Sequence, residues 1–366
     1  MKTRRDFIKN VSFPLLVLPS ICNSNNINNE QYDGPQLRIA LMGLGEYASI
    51  VADAMLSCKK TKIVGLISGT PSKLEKWSKQ YNIKKENCYN YDNYNNIINN
   101  EEIDAVYILT PNALHKEMTI NVAQAKKHVI VEKPMAINSS ECIEMINVCS
   151  KYNVRLLVGY RMHFEPNTLE IVRLRKSNYF GKILYFQALT GFKIGNPNQW
   201  RLNKKLSGGG ALMDVGIYCI NGSRYMLGEE PIWVTAQETK TDKVKFKEGI
   251  DETIQFQLGF PSGAISSCMT SYSQNNINSF FLNGTEGFVE MNPANNYGPI
   301  KAKVNSKELN FPTIKQQTLQ MEAFADYILN GIEPKIQVDG LEGLKDLKII
   351  EAIYSSIKLN KKIILS

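Results

Sequence analysis

A short apolar run, Leu37-Arg-Ile-Ala-Leu-Met42, passes directly into Gly43-Leu44-Gly45-Glu46-Tyr47-Ala48 and then into a helix-forming segment expected over 46–58. No other junction in the chain restricts its folding as much. The first glycine permits a tight turn, the second lets main chain come close to a ligand, and the small third position lets the helix pack on its strand. The helix opens on free N–H groups at the positive end of its dipole, which is the chemistry that holds phosphate groups. A strand, a glycine turn and a crossover helix in this order commit the first part of the chain to a parallel sheet.

The pattern repeats. Strands are expected at 62–67, 88–91, 104–109, 128–131 and 154–158, with helices at 71–81, 113–126 and 139–151 between them. This is a doubly wound α/β sheet, and such sheets bind ligands beyond the carboxyl ends of their strands. Those ends carry Ser68-Gly69-Thr70, Thr110-Pro111-Asn112, Glu132-Lys133-Pro134 and Gly159-Tyr160-Arg161. Asn112 reads as the N-cap of the helix that follows it. His115, in that helix's first turn, suits either capping or ligand contact.

The second strand end bears on the choice of dinucleotide. An acid there would hold a ribose 2′-hydroxyl, but none occurs between Asp53 and Glu75. Hydroxyls, Gly69 and Lys73 stand there instead, which accept a 2′-phosphate, so NADP is favoured over NAD.

After Arg161 the periodicity changes. A helix at 165–176 precedes strand-like runs at 183–189, 232–239, 252–260, 264–271, 279–283 and 288–291, which read as a mostly antiparallel open sheet in an α+β domain. One face is expected to carry helices and the other to pair with a second subunit, as a homodimer or homotetramer. The domain division is 1–35 leader and linker, 36–160 dinucleotide-binding domain, and 161–366 substrate and oligomerisation domain. Between the first two strand runs lie Gln199-Trp200-Arg201 and then Ser207-Gly208-Gly209-Gly210, three glycines that allow close approach to a ligand. In the helix that follows, at 211–227, Asp214 and Tyr218 stand four apart on one face, and Asn221 continues it.

These residues suggest a chemistry. Removing hydride from a carbinol carbon requires a group that takes the hydroxyl proton. A phenol is too weak an acid unless a nearby ammonium favours its ionised form. Lys133 and Tyr218 are the candidates for that pair, with Asp214 orienting a hydroxyl or the lysine.

With 366 residues the chain exceeds one ordinary core. Its net charge of +8 is spread along Lys-rich segments, which argues against a nucleic-acid partner. The start, with Arg4-Arg5-Asp6-Phe7-Ile8-Lys9 before an apolar run at 11–21 too short to span a bilayer, reads as a twin-arginine export signal to the periplasm. Ser20-Ile21-Cys22 is a poor lipoprotein site. Residues 23–36 are Asn-rich and read as a linker. Seven cysteines show no C-x-x-C, and three histidines no metal-ligand spacing, so buried free thiols and no metal are expected.

The glycine turn, Pro111-Asn-Ala-Leu-His115, His128-Val-Ile-Val-Glu-Lys-Pro134, Gly159-Tyr-Arg161, Gln199-Trp-Arg-Leu202, Gly208-Gly-Gly-Ala-Leu-Met-Asp-Val-Gly-Ile-Tyr218 and the run 221–231 occur in order. Together they resemble the glucose–fructose oxidoreductase and inositol dehydrogenase family, from about residue 37 onward. The resemblance implies an N-terminal Rossmann domain, a C-terminal open-sheet α+β domain and an NADP(H)-dependent oxidoreductase acting on a sugar or polyol. It implies Lys133, Asp214 and Tyr218 as catalytic. Gly43, Leu44, Gly45, Glu46, Tyr47, Ser68, Gly69, Lys73, Tyr91, Pro111, Asn112, His115, Glu132, Lys133, Arg161, Trp200 and Arg201 fall at cofactor positions. Lys133, Arg161, Asp214, Tyr218 and Tyr297 fall on the substrate side. A proline-rich arm that clamps the cofactor in the namesake enzyme is replaced here by the Asn-rich stretch with Pro35 alone. Two other functions fit the same scaffold: an NAD-dependent glycosidase and a non-catalytic sugar or dinucleotide sensor.

Overall fold

The computed structural model describes residues 32–247 and 249–365. The expected export signal and most of the Asn-rich linker lie outside the described residues. The segment Gly34–Ser366 forms one compact unit.

The first sheet has six strands, all parallel: β1 (Leu37–Met42), β2 (Thr61–Ile67), β3 (Cys88–Tyr89), β4 (Ala105–Ile108), β5 (His128–Val131) and β6 (Leu156–Val158). Their order is β3-β2-β1-β4-β5-β6. Four successive buried positions in β4 and near-continuous burial in β1 and β5 reflect a sheet covered on both faces. The helices α1 (Glu46–Met55), α2 (Pro71–Tyr81), α3 (His115–Gln124) and α4 (Ser139–Lys151) provide the crossovers. Strand order reverses between β1 and β4, so a ligand crevice opens above those two strands.

A short helix α5 (Pro166–Lys176) leads to the second sheet. Its nine strands are β7 (Ile183–Lys193), β8 (Trp233–Thr239), β9 (Thr253–Gly259), β10 (Ile265–Ser271), β11 (Ser273–Gly284), β12 (Phe288–Met291), β13 (Ala302–Val304), β14 (Lys307–Glu308) and β15 (Ile363–Ile364), in the order β14-β13-β12-β11-β7-β10-β9-β8-β15. Only the β7–β10 pairing is parallel. Along β7, Phe186 and Ala188 point to a buried face, while Gln187 and Leu189 point to the other, more open face. Between β7 and β8 come the single turn α6 (Lys204–Ser207) and the helix α7 (Ile217–Leu227), which lies on the buried face.

The last helices, α8 (Gln316–Asn330) and α9 (Gly340–Leu359), carry no motif but tie the two sheets together. Thr318 Oγ1 donates to the Ala54 carbonyl of α1 at 2.9 Å, and Gln320 Nε2 donates to Tyr107 Oη of β4 at 3.0 Å. Phe324, fully buried, meets Phe164 edge-on at 5.5 Å; a ring so buried contributes about 2–3 kcal/mol. The helix α9 packs on α4 and on β8, one in each half of the fold.

Candidate active site

At the reversal point Gly43 has φ +90°, and a Cβ there would come within 2.7 Å of Thr110 Cγ2. Only glycine suits both the dihedral and the gap. Gly45 has open space where a Cβ would stand and caps α1 without any side chain taking the helix's first N–H groups. Ala48 is buried against the sheet. This is a cradle that a pyrophosphate fits. Beyond β2, Ser68 Oγ accepts from the Thr70 N–H at 3.2 Å, and the Tyr91 ring lies so close to Gly69 that a Cβ would meet it at 2.9 Å. Lys73 is exposed in the first turn of α2. No carboxylate stands among residues 68–74, so the surface matches a ribose that carries a 2′-phosphate.

Some residues at the strand ends turn inward. Asn112 does not cap α3, because a 3₁₀ turn (Asn112–Leu114) intervenes; its amide donates to the Ser207 carbonyl at 2.9 Å and links the two sheets' loops. His115 has no exposed surface. Its Nδ1 lies 3.0 Å from the Pro134 carbonyl and its Nε2 2.9 Å from that of Thr110. It braces two strand ends and neither caps the helix nor reaches a ligand. Glu132 is also buried: its carboxylate accepts from Tyr107 Oη and from the Lys133 N–H, and a Cβ on Gly159 would collide with it. Burial pushes its carboxyl up against those hydrogen bonds. These two side chains therefore support the site from behind.

Lys133 turns outward into the cleft. Its ammonium donates to the Asp214 carbonyl oxygen at 2.7 Å, stands 3.6 Å from Asp214 Oδ1, and lies over the Tyr218 ring, 4.7 Å from the centroid. Asp214 sits on a π-helical turn (Leu212–Gly216) that runs into α7, a distortion of the helix ladder that recurs at functional sites. The other Asp214 oxygen, Oδ2, accepts from Arg201 Nε at 3.0 Å and from Tyr272 Oη at 3.0 Å. Burial pushes the Asp214 carboxyl up, but the Arg201 guanidinium, the Lys133 ammonium and the Tyr272 hydroxyl outweigh it, so it stays below the usual carboxylate range. Trp200 is covered by its neighbour Arg201, whose guanidinium is 4.7 Å from the indole.

The buried Arg161 guanidinium completes the centre. It lies 5.1 Å from the Tyr218 ring and 4.6 Å from that of Tyr297, and donates to the Asn295 and Asn296 carbonyls and to Gln316 Oε1. The Tyr297 ring in turn lies 5.7 Å from that of Tyr47 in the glycine turn. Desolvation holds the Tyr47 phenol above the usual range, whereas Tyr297 is 53% exposed.

Two expectations change here. The triple glycine approaches protein and not a ligand: a Cβ would strike Ile137 at Gly208, Tyr354 at Gly209 and the Asp251 carbonyl at Gly210. The Asp251 carboxylate accepts from the Gly210 and Leu212 N–H groups at 2.7 Å each, so this helix start is already capped. Asn221 leaves the Asp214 face and lies buried between His163 and Asp346. Tyr272, in contrast, lies within the site and has no sequence signal, being one aromatic between two serines. The six described cysteines carry free thiols.

Residues 37–160 match the model of an oxidoreductase family with an NAD-binding Rossmann fold, and residues 168–290 that of the GFO/IDH/MocA C-terminal domain. D-xylose 1-dehydrogenase [NADP(+)] of Haloarcula marismortui is 31% identical over 339 residues, 88% of this chain and 91% of that protein. The crystal structure of aldose-aldose oxidoreductase from Caulobacter crescentus complexed with glycerol is 38% identical, with a TM-score of 0.86 over 90% of this chain and 100% of that one. Levoglucosan dehydrogenase in complex with NADH and levoglucosan shares the fold at 21% identity, with a TM-score of 0.77 over 90% of this chain and 99% of that one.

Proposed function

The chain belongs to the GFO/IDH/MocA oxidoreductase family, an NAD(P)-dependent group, and on that premise we propose that it transfers hydride to or from a carbinol carbon of an aldose or related polyol, using NADP(H). The observation that carries this reading is the Lys133 ammonium in contact with both Asp214 and Tyr218 at the mouth of the crevice. Gly43, Leu44, Gly45, Glu46 and Tyr47 would hold the pyrophosphate side, and Ser68, Gly69, Lys73 and Tyr91 the adenosine side. When bound, the nicotinamide supplies the hydride acceptor or donor.

The remaining chemistry belongs to the chain. Tyr218 takes the substrate hydroxyl proton in oxidation and returns it in reduction. Two cations, Lys133 and Arg161, lie beside its ring and face the negative charge that develops on the phenol as the proton moves. Tyr272, 1% exposed, is held protonated by burial and does not compete for the role. Asp214 Oδ1 accepts a neighbouring sugar hydroxyl and sets the carbinol carbon in place. The named relatives, a D-xylose 1-dehydrogenase and an aldose-aldose oxidoreductase, support an aldose as substrate.

The test is the reduced-nicotinamide absorbance of purified protein given NADP(H) and a panel of aldoses. Turnover that disappears in Tyr218→Phe supports the reading, and tight binding of sugar and NADP(H) with no turnover on any aldose overturns it. Exchange of label between two aldoses without release of NADP(H) would make it an aldose–aldose enzyme.

The paired Arg4-Arg5 supports export by the twin-arginine route, and fractionation of cells carrying Arg4→Lys with Arg5→Lys tests it. Pairing of two chains is proposed through the open face of the second sheet. There Leu189, Met269 and Ser279 align in one row beside Phe281; a monomeric mass in solution would refute it.

A further inference from the structure

Asp214 presents two unlike oxygens. Oδ2 is saturated by protein donors, while Oδ1 faces only the Lys133 ammonium at 3.6 Å and the cleft. We propose that Tyr272 is a positioning residue: its hydroxyl fixes the Asp214 carboxylate in the one orientation that offers Oδ1 to a substrate hydroxyl. The inference rests on the aldose reading above and adds a residue to it.

The two donors to Oδ2 differ in how firmly they are held. The Arg201 side chain is 34% exposed and lies on a 3₁₀ turn (Trp200–Leu202), so it is the less enclosed of the two donors. Tyr272 is 1% exposed. Its ring belongs to a small apolar cluster with Ile194, Ala211, Phe246 and Ile250, and meets Phe192 edge-on at 5.3 Å. Its backbone is held on both sides, N–H to the Glu252 carbonyl at 2.9 Å and carbonyl to the Ile194 N–H at 2.8 Å. A flat ring with a locked rotamer and a pinned backbone places its hydroxyl as a fixed point, and a charge-assisted hydrogen bond from that point is directional. Burial and the Asp214 charge keep the phenol protonated, so it is always a donor. The groups facing Asp214 are then Lys133 from the end of β5, Arg201 from the turn before α6, Tyr272 between β10 and β11, and the Tyr218 and Tyr297 phenols; Asp251 lies behind Tyr272.

Two substitutions at one position test this with opposite signs. Tyr272→Phe keeps the ring in its cluster and removes the donor. The aldose KM should rise about tenfold, with kcat changed less, and the acid limb of kcat/KM should move to higher pH. Incorporation of 3-fluorotyrosine at 272 makes the hydroxyl a stronger donor and should move the same limb to lower pH. Superimposable profiles for all three proteins would overturn the inference, as would equal losses of kcat and KM specificity without a pH shift. A second readout needs no turnover: the ¹³C carboxyl resonance of Asp214 in cofactor-free protein, assigned with Asp214→Asn, should titrate higher in Tyr272→Phe. If the wild type turns over no aldose, the aldose reading fails while this titration still decides the role of Tyr272; an unshifted resonance overturns it.

Discussion

The Lys133 ammonium stands over the face of the Tyr218 ring while its hydrogen bond goes to the Asp214 main-chain carbonyl. A cation on the ring face is attracted by the ring quadrupole and offsets negative charge developing on the phenol, while Lys133 leaves the proton-exchanging oxygen unoccupied. Lys133→Met keeps the stem and removes the charge, and Tyr218→Phe removes the oxygen. Each should cut kcat by roughly a hundredfold or more, the usual scale for a lost acid/base group. NADPH fluorescence titration should show binding within a few-fold of wild type for Tyr218→Phe, and loss of binding in that variant would mean that the phenol serves the cofactor instead.

Lys73 is the one charged side chain of its sign at the end of β2 up to that point in α2, and it faces solvent. Lys73→Ala should weaken NADPH by about five- to tenfold, an exposed charge-assisted contact being worth about 1 kcal/mol, and leave NADH unchanged. Paired KM or Kd measurements for the two cofactors check this. Equal losses for both would place Lys73 away from the 2′-phosphate.

Tyr297 touches both the Arg161 guanidinium and Tyr47 of the glycine turn. Tyr297→Ala opens that contact and should speed NADPH release in stopped flow by about threefold to tenfold, an aromatic pair contributing about 1 kcal/mol. An unchanged release rate would show that the pair does not restrain the cofactor.

His163 is buried between the Gln337 carbonyl and the Asn221 side chain, and burial pushes its imidazole down to about 4. In the unfolded chain it titrates near pH 6.5, so below that pH the unfolded state takes up the proton first. Stability present above pH 6.5 should fall as pH drops toward 4, by on the order of 3 kcal/mol from this group. Denaturant unfolding across that window should be steeper for wild type than for His163→Gln. Parallel curves would assign the acid sensitivity elsewhere.

The parallel sheet was legible because its strands, buried on both faces, are written as apolar runs with glycines at the turns. Helix 71–81 and helix 139–151 appear with the expected limits, and the latter has its Asn138 cap, which accepts from the Glu141 N–H at 2.8 Å. Side-chain direction was not legible. Glu132 and Lys133 are adjacent, yet one turns into the interior and the other into the cleft, as alternation along an extended chain requires. Asn112 and His115 mark the right strand end but serve to brace it. Chain order also hid the last elements: β13, β14 and β15 are two or three residues long, and α8 takes its meaning from α1, some 260 positions earlier, as in the Thr318 hydroxyl to Ala54 carbonyl bond.

That last arrangement bears on synthesis. The nucleotide-binding half leaves the ribosome first, yet the surfaces of Ala54, Tyr107 and Tyr160 meet their partners Thr318, Gln320 and Asp346 only when translation is nearly over. Until then the early half carries unmatched apolar and polar patches and needs sheltering, so a nascent chain stopped before residue 316 should be a far better chaperone client than the finished protein.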